Sequence, residues 1–392
     1  MALSVQGDRG HATRVLYLID DFGIGGAQSA LLSQAAALDP DRFEVHVATL
    51  RRVAGDPLEP AFRAAGIAVH DLTAADEPFG VTLLRLHSLL KTLRPDIVHT
   101  HLAAAGITGR IMARVGRVPH VVSTLHNVSD WTEHRRQPLR TLDRATLRLA
   151  DRICAVSNAA REAVVRAAPA LAPRTITLRN GVAVERFRVA EGAREGARAR
   201  LGFAPADFVV ASVGRLEPGK GLATLLHAAA RASARAPMLQ LLLVGDGSER
   251  PMLERLATTL AIEDWVTFTG TRDDVPLLLA AADMFALPSR REGVGVAAIE
   301  ALAAGLPVLA SRVGGLPEIV TDGVCGRLLP PEDTTAWADA LTRAASEPAT
   351  IEPWRRAAPR RAHAFSIEAS VAVLEQLYDS LAAAATAHRR AA

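Results

Sequence analysis

Two glutamates, Glu292 and Glu300, are the residues whose type and spacing most suggest chemistry. Glu292 precedes a Gly-Val-Gly turn, and Glu300 interrupts the apolar run 296–309. An unpaired carboxylate is unfavourable in such a run, and the free N–H groups at a helix start attract anions. On a helical wheel the two positions lie about 80° apart. We expect them to contact different parts of an extended ligand, such as a sugar nucleotide, although a solvated Ala-rich helix is the simpler alternative.

A second candidate site is the loop VGRLEPGKG, residues 213–221, which contains Arg215 and Lys220. Lysine is rare in this chain, because Lys91 and Lys220 are the only two among 45 basic residues. Two cations on one flexible loop are suited to a diphosphate. The GxxxxGK[ST] pattern of a Walker loop is absent.

A glycine loop with Gly25 and Gly26 follows the first predicted strand. It is either a tight strand-to-helix turn or a contact to phosphate or sugar. The GxGxxG dinucleotide pattern would require glycine where this chain has Gln28. Arg51 and Arg52 could still hold a 2′-phosphate, so an NAD(P)-dependent oxidoreductase remains an alternative function.

His126, in the sequence TLHN, ends another predicted strand and is a candidate catalytic residue. Ligands of parallel sheets bind at the carboxyl ends of the strands, which favours this position. We interpret His99 and His101, in VHTH, as supporting or acceptor-side residues. No spacing typical of metal ligands is found, so we expect neither a metal nor a cofactor.

Arginines recur every four residues between positions 138 and 152, and their direction drifts by about 40° per step. This stripe could lie on anionic lipid, although Asp143 and Asp151 interrupt it and a solvated face is the alternative. The first 179 residues carry 22 basic against 17 acidic side chains, which permits an anionic or lipid-linked acceptor. The stripe comprises Arg140, Arg144, Arg148 and Arg152.

The composition describes a soluble globular protein of two domains. The chain has 392 residues, 49% of them hydrophobic, and a net charge of only +3, which does not favour a nucleic-acid partner. Its two cysteines have no metal or redox spacing. Neither a signal peptide nor a run of about 18 apolar residues is found. We expect a cytoplasmic protein whose membrane contact, if it has any, is peripheral at the inner face of the cell membrane.

Strands and helices alternate along the chain, which predicts parallel sheets covered on both faces. The alternation restarts after an Arg-, Ala- and Gly-rich segment. We therefore predict a Rossmann-like domain at 1–182, a linker at 183–205 and a second Rossmann-like domain at 206–365. A terminal helix is predicted within 366–392.

Several motifs together resemble the retaining glycosyltransferases of family 4, which have the GT-B fold. They are GIGGAQ, NGV, VGRLEPGKG, LLVGDG, FTG and, most specifically, LPSRREGVGVAAIEALAAGLPVLASRVGGLPEIV. The resemblance covers nearly the whole chain. It implies two α/β domains that face a central cleft, with the terminal helix crossing back to the first domain.

The resemblance also implies roles for individual residues. In the second domain, the donor diphosphate would be held by Arg215, Lys220 and the backbone amides of Gly295 and Val296. Glu300 would bind the ribose hydroxyls. The base would contact Gly270 and Arg272.

The sugar end of the cleft would involve both domains. Glu292 would face the donor sugar near its reacting carbon, and His126 would lie beside that sugar. Gly25 and Gly26 would let the first domain close on it. Val294 departs from the resemblance, since relatives more often have a larger apolar residue there.

The resemblance implies metal-independent transfer of a sugar, with retention of configuration, from a nucleotide-sugar co-substrate. A UDP-sugar is the favoured donor and GDP-mannose the second choice. The acceptor would be a saccharide, a lipid-linked molecule or a small hydroxyl compound, in cell-envelope polysaccharide or glycoconjugate assembly. A non-catalytic glycan-binding protein with the same fold is a further alternative.

Overall fold

The computed structural model describes residues 12–52, 55–73, 77–126, 137–189 and 192–391. The side chains of residues 137–140 and 384–391 lie outside this description. All of the secondary-structure elements named below fall within the described ranges.

The first half of the chain forms a seven-stranded parallel sheet with the strand order β3-β2-β1-β4-β5-β6-β7. Its strands are β1 Thr13–Ile19, β2 Phe43–Thr49, β3 Ala68–His70, β4 Ile97–His101, β5 His120–Leu125, β6 Arg152–Ala155 and β7 Thr175–Thr177. The helices of this half are α1 Gly26–Ala37, α2 Glu59–Ala64, α3 Phe79–Leu93, α4 Ala103–Val115, α5 Gln137–Leu147 and α6 Asn158–Ala167.

The second half forms a six-stranded parallel sheet with the strand order β10-β9-β8-β11-β12-β13. Its strands are β8 Phe208–Val213, β9 Leu239–Val244, β10 Val266–Gly270, β11 Met284–Leu287, β12 Val308–Ser311 and β13 Gly326–Leu329. The helices are α7 Ala193–Leu201, α8 Leu222–Ala232, α9 Arg250–Thr259, α10 Val275–Ala281, α11 Val296–Ala303, α12 Leu316–Ile319, α13 Thr334–Ser346 and α14 Glu352–His363.

Both sheets are buried on their two faces, because their strands are nearly continuous apolar runs. In β9, Leu242 and Val244 pack into one hydrophobic core, while Leu241 and Leu243 pack into the core on the other face. This alternation is expected for strands that are covered by helices on both sides. The predicted α/β architecture with two parallel-sheet domains is therefore confirmed.

The last helix, α15 Ile367–Ala391, crosses back to the first sheet, as predicted. Its start is fixed by two backbone hydrogen bonds, from Val182 N to Phe365 O and from Ile367 N to Val182 O. Gly181 is needed at this crossing, because a Cβ atom there would lie 2.6 Å from the Cα of Ile367. The helix packs on α1 and buries Tyr378 in the first domain.

The segment predicted as a linker, 183–205, contains a short 3₁₀ helix, Val184–Phe187, and the helix α7. Arg194 of α7 pairs with Asp283 of the second half at 2.6 Å. Most of this segment therefore packs on the second domain, and the domain boundaries themselves remain a prediction. In the described ranges, no helix is long and apolar enough to span a membrane.

Candidate active site

The strand order of each sheet defines where its ligand is expected. In the second sheet, β8 and β11 are neighbours, and the chain leaves them in opposite directions. Such a switch point opens a crevice at the carboxyl ends of the two strands. The loop after β8 contains Arg215 and Lys220, and the loop after β11 contains Glu292. The sequence motifs of the second domain thus converge on one crevice.

Lys220 and Glu292 form an ion pair in this crevice. Lys220 Nζ donates to Glu292 Oε2 at 2.7 Å, and Ser289 Oγ donates to the same oxygen at 3.1 Å. The side chains of Lys220 and Glu292 are 28% and 14% exposed, while Ser289 is fully buried. The buried Ser289 therefore holds the Glu292 carboxylate in place, while the partly exposed Lys220 and Glu292 side chains remain accessible to a ligand.

Glycines allow the loop of Glu292 to pack closely against its surroundings. A Cβ atom at Gly314 would lie 1.7 Å from the carbonyl oxygen of Glu292, and one at Gly293 would lie 2.0 Å from that of His126. His126 belongs to the first domain, so the two domains touch at this point. The structure thus brings two predicted site residues, His126 and Glu292, to neighbouring positions across the cleft.

The start of α11 has the features of an anion site. Gly295 precedes the helix with a φ of 86°, no side chain caps the helix start, and no acidic residue lies in its first turn. The amides near Gly295 and Val296 are thus not covered by a capping carboxylate. Arg215 is exposed, and in the described part of the chain its guanidinium has no ion-pair partner. These groups can receive negative charge.

Glu300 lies partly buried on α11 and has an altered acidity. Burial raises the pKa of its carboxyl group to about 7, although Arg186 lowers it in part. Among the described residues, no hydrogen bond or ion pair to this carboxylate is found. A carboxylate without a protein partner is suited to accept hydrogen bonds from ligand hydroxyls, the role that the family resemblance implies for it.

His126 follows β5 and contacts a second histidine. Its Nε2 atom lies 3.0 Å from Nδ1 of His101, the last residue of β4. Burial lowers the pKa of His126 to about 4, so the imidazole is neutral at physiological pH. His101, which the sequence interprets as a supporting residue, is fully buried behind it.

The glycine loop of the first domain lies at the switch point between β1 and β4. Asp21 holds this loop, because it accepts hydrogen bonds from Gly23 N and from Gln28 Nε2, both at 3.0 Å. Gly25 is extended, and a Cβ atom there would lie 2.6 Å from Gln28 Oε1, so the Gln28 side chain would have to move. Gly26 has no such restriction.

The predicted base contacts lie further along the same edge of the second sheet. Gly270 ends β10 with a φ of 70°, and its carbonyl accepts a hydrogen bond from Gly245 N. Arg272 points to Asp274, which accepts two hydrogen bonds from it, at 2.8 and 2.7 Å. Arg272 can therefore offer its backbone to a base more readily than its guanidinium.

The basic stripe is less continuous than its spacing suggests. Arg148 is exposed, Arg144 is partly buried, and the side chain of Arg140 lies outside the described residues. Arg152 donates to Asp151 O. Leu142 adds an exposed apolar side chain on the same helix.

Within the described ranges, no group of three or more His, Cys, Asp or Glu side chains could hold a metal ion.

Three functional candidates were not singled out by the sequence: Ser289, Tyr378 and Glu318. Glu318 joins the two domains, because it accepts hydrogen bonds at 3.0 Å from Ala159 N, at the start of α6, and from Arg179. Its position within GGLPEIV was the available signal. For Tyr378 the sequence offered no signal, because its partners lie more than 270 positions away.

Comparison with known proteins agrees with this architecture. A family model described as "Glycosyl transferases group 1" matches residues 193–361, and one described as "Glycosyltransferase Family 4" matches residues 24–186. The two models thus meet near the crossing between the domains. Both describe glycosyltransferases, so the oxidoreductase alternative is not favoured.

Individual relatives extend over nearly the whole chain. A D-inositol 3-phosphate glycosyltransferase of Saccharomonospora viridis is 33% identical over 92% of this chain and 90% of its own length. The structure of Anabaena Alr3699/HepE in complex with UDP-glucose is 26% identical, covers 94% of this chain and 99% of its own, and has a TM-score of 0.83. The structure of the sucrose-phosphate synthase of Thermosynechococcus elongatus is 28% identical, covers 95% of this chain and 100% of its own, and has a TM-score of 0.78.

These similarities and the two-domain architecture agree with the resemblance seen in the motifs. The match at 33% identity over 92% of the chain is sufficient to assign the family. The chain belongs to the group 1 glycosyltransferases, with the GT-B fold, and is an enzyme of that class.

Proposed function

We propose that this enzyme transfers a sugar from a nucleoside diphosphate sugar to a hydroxyl acceptor, with retention at the anomeric carbon and without a metal ion. The observation that carries the proposal is the Lys220–Glu292 pair at the switch point of the second sheet. Arg215 lies on the same loop as Lys220, and the uncapped start of α11 follows Glu292 directly along the chain. Together these groups can neutralise a diphosphate, which is why we propose no metal.

Donor binding would rearrange the ion pair. A diphosphate that enters the crevice offers Lys220 a stronger anionic partner than one carboxylate. Glu292 is then available to the donor sugar, while Ser289 keeps hold of one of its oxygens. The cations stabilise negative charge on the departing diphosphate, and Glu292 stabilises positive charge on the sugar ring.

Retention is supported by the described carboxylates that follow β1, because both are engaged by other groups of the first domain. Asp20 accepts a hydrogen bond from Ala105 N, and Asp21 pairs with Arg51 at 2.7 Å. The low pKa of His126 makes it a weak base. We propose that the bond from the anomeric carbon to the diphosphate breaks while a bond to the acceptor oxygen forms on the same face. The acceptor proton then passes to the departing diphosphate oxygen.

The relatives support particular substrates. Since Anabaena Alr3699/HepE is solved with UDP and with UDP-glucose, we propose a UDP-sugar as donor and keep GDP-mannose as the second choice. The D-inositol 3-phosphate glycosyltransferases point to a small phosphorylated acceptor, beside the saccharide and lipid-linked acceptors that the sequence allows. We propose a role in cell-envelope polysaccharide or glycoconjugate assembly.

A cytoplasmic location with peripheral membrane contact belongs to the same proposal. The membrane contact is supported by two exposed side chains, Leu142 on α5 and Arg148 directly after it. Sedimentation with anionic vesicles tests it: binding that falls in Arg148→Ser would agree. Equal sedimentation with neutral vesicles, or none with either, would contradict it.

The transfer reaction itself is tested by incubating the enzyme with UDP-glucose or GDP-mannose in EDTA, with each acceptor class. We expect nucleoside diphosphate release that depends on the acceptor, and a product whose anomeric proton signal in NMR shows the configuration of the donor. An inverted product would contradict retention. Binding of saccharide without nucleotide release under any condition would contradict the transfer reaction.

A further inference from the structure

A line of buried polar rings connects the cleft with the C-terminal helix. His126 Nε2 lies 3.0 Å from His101 Nδ1, and the ring of His101 packs against that of His99 at a tilt of 38°, with centroids 4.5 Å apart. His99 Nδ1 lies 2.6 Å from Tyr378 Oη, which donates to Tyr17 Oη at 2.8 Å. These contacts tie β4, β5 and α15 together.

The protons of the inner half of this line can be assigned. Tyr378 has a single hydroxyl proton and gives it to Tyr17, so it accepts the Nδ1 proton of His99. The Nε2 atom of His99 then accepts from Thr124 Oγ1 at 2.7 Å. Burial lowers the pKa of His99 to about 3, in agreement with a neutral ring. His99 is therefore fully satisfied and cannot exchange partners with His101.

The outer half has two unsatisfied atoms. Within the described residues, neither His101 Nε2 nor His126 Nδ1 has a hydrogen-bond partner, and both atoms are buried. Both rings are neutral, because burial lowers their pKa values. One proton lies between the two rings, so either His101 donates from Nδ1 or His126 donates from Nε2.

The two arrangements differ in where they leave an unsatisfied N–H group. If His126 donated, the second proton of the pair would sit on His101 Nε2, in a side chain that is 0% exposed. If His101 donates, it sits on His126 Nδ1, in a partly exposed residue whose backbone carbonyl lies at the contact between the domains. Each arrangement leaves one buried N–H without a partner, which is rare in proteins. Only the second arrangement places that N–H on the residue nearer the cleft, where an entering ligand can supply the missing acceptor.

We propose that His101 is a positioning residue that fixes His126 as the tautomer with its proton on Nδ1, so that His126 donates a hydrogen bond to an oxygen of the bound donor sugar. The part that concerns the sugar rests on the proposed function, but the tautomer does not. His126 then acts as a neutral hydrogen-bond donor and not as a base. His101 acts only through His126 and touches no substrate.

The tautomer can be read directly in the enzyme without substrate, from the ¹⁵N shifts and proton couplings of ¹⁵N-histidine-labelled protein, with a His126→Gln variant to assign the signal. We expect a protonated Nδ1 and a bare Nε2 in the wild type. A proton on Nε2 of His126 would overturn the proposal, whether or not the enzyme transfers sugar. This measurement needs no variant of His101 that might fail to fold.

Two variants of His101 then separate positioning from packing. His101→Asn keeps an N–H donor near the position of Nδ1, whereas His101→Phe keeps the ring and loses the donor. We expect His101→Phe to mix the tautomers of His126 and to lower kcat about tenfold, with the affinity for UDP unchanged. His101→Asn should restore both readouts to about twofold of the wild type.

Tyr378→Phe is the matched control, since it removes two hydrogen bonds from the same buried line but leaves the His101–His126 pair in place. The Nδ1 proton of His126 should persist in this variant. If Tyr378→Phe mixed the tautomers as strongly as His101→Phe, or if His101→Phe left them unchanged, the specific role of His101 would be wrong. A correct tautomer in an enzyme that releases no nucleotide would instead contradict the proposed function.

Discussion

The two sides of the cleft are built from opposite kinds of polar group. On the second domain, Lys220 pairs with Glu292. Arg215 lies on the same loop as Lys220, and Glu300 lies on α11, the helix that follows Glu292. On the first domain, the ends of β4 and β5 present His101 and His126, which burial keeps uncharged. We call the first group the ionic side, which is partly open to water, and the two histidines the neutral side.

This difference matches the charges that a glycosyl transfer creates. A departing diphosphate gains negative charge and needs cations, while the sugar carbon gains positive charge and would be repelled by an imidazolium. Burial lowers the pKa of His126 to about 4, which prevents this repulsion at neutral pH. The comparison teaches that His126 contributes to the cleft by remaining uncharged.

The largest effect is expected when the cation of the ionic side is removed. Lys220→Met should lower kcat/KM about 10³-fold, because the departing charge loses a preorganised partner. The loss of kcat/KM is measured in a steady-state assay of UDP release and is compared with that of a matched Lys91→Met variant. Lys91 is the other lysine of the chain and lies exposed on α3. Equal losses in both variants would show that the effect is not local.

A smaller effect should separate the two glutamates of the ionic side. Glu292→Gln keeps the volume and the contact with Ser289 but removes the charge near the sugar, so kcat should fall about hundredfold. Its affinity for UDP should not weaken, because Lys220 is released to the diphosphate. Glu300→Gln should do the reverse, with weaker UDP binding and a modest change in kcat. Calorimetry measures the affinity of both variants for UDP, and saturation kinetics measures their kcat. Equal changes of affinity and kcat in the two variants would contradict separate roles for the glutamates.

Glu300 should also make the stability of the enzyme depend on pH. Its pKa is about 7 in the fold, against about 4.3 in an unfolded chain. The ionisation penalty is therefore absent below about pH 4, grows as the pH rises, and is complete above pH 7. Glu300→Gln should raise the midpoint of thermal unfolding at pH 8 by about 5 °C and leave it nearly unchanged below about pH 4. A pH-independent difference would mean that the carboxyl group is not buried as described.

The smallest effect is expected at the contact between the two sides. Glu318→Ala removes the hydrogen bonds to Ala159 N and Arg179, which hold the domains together. The KM for acceptor should rise about threefold, and small-angle X-ray scattering should show a larger radius of gyration. Arg179→Met should reproduce about half of the change. Unaltered scattering in Glu318→Ala would mean that this contact does not restrain the domains.

The sequence was sufficient for the ionic side and insufficient for the neutral side. Lys220 and Glu292 were recognisable because they lie in motifs, although their direct contact, across 72 positions, was not predictable. The alternating strands gave the α/β architecture. The short helix α2, with its proline at position 60, had too little periodicity to be predicted. His101 looked ordinary because its importance depends on which atoms lack partners, and only the fold determines that.

The central claim is that the ionic side holds the donor diphosphate without a metal, and calorimetric titration in EDTA tests it most directly. Wild-type enzyme and Lys220→Met should each be titrated with UDP, GDP, ADP and NADP. We predict that one nucleoside diphosphate, UDP in the first place, binds the wild type and binds Lys220→Met at least tenfold more weakly, since charge-assisted contacts are lost. Binding of NADP alone, or equal binding of UDP to both proteins, would contradict the claim.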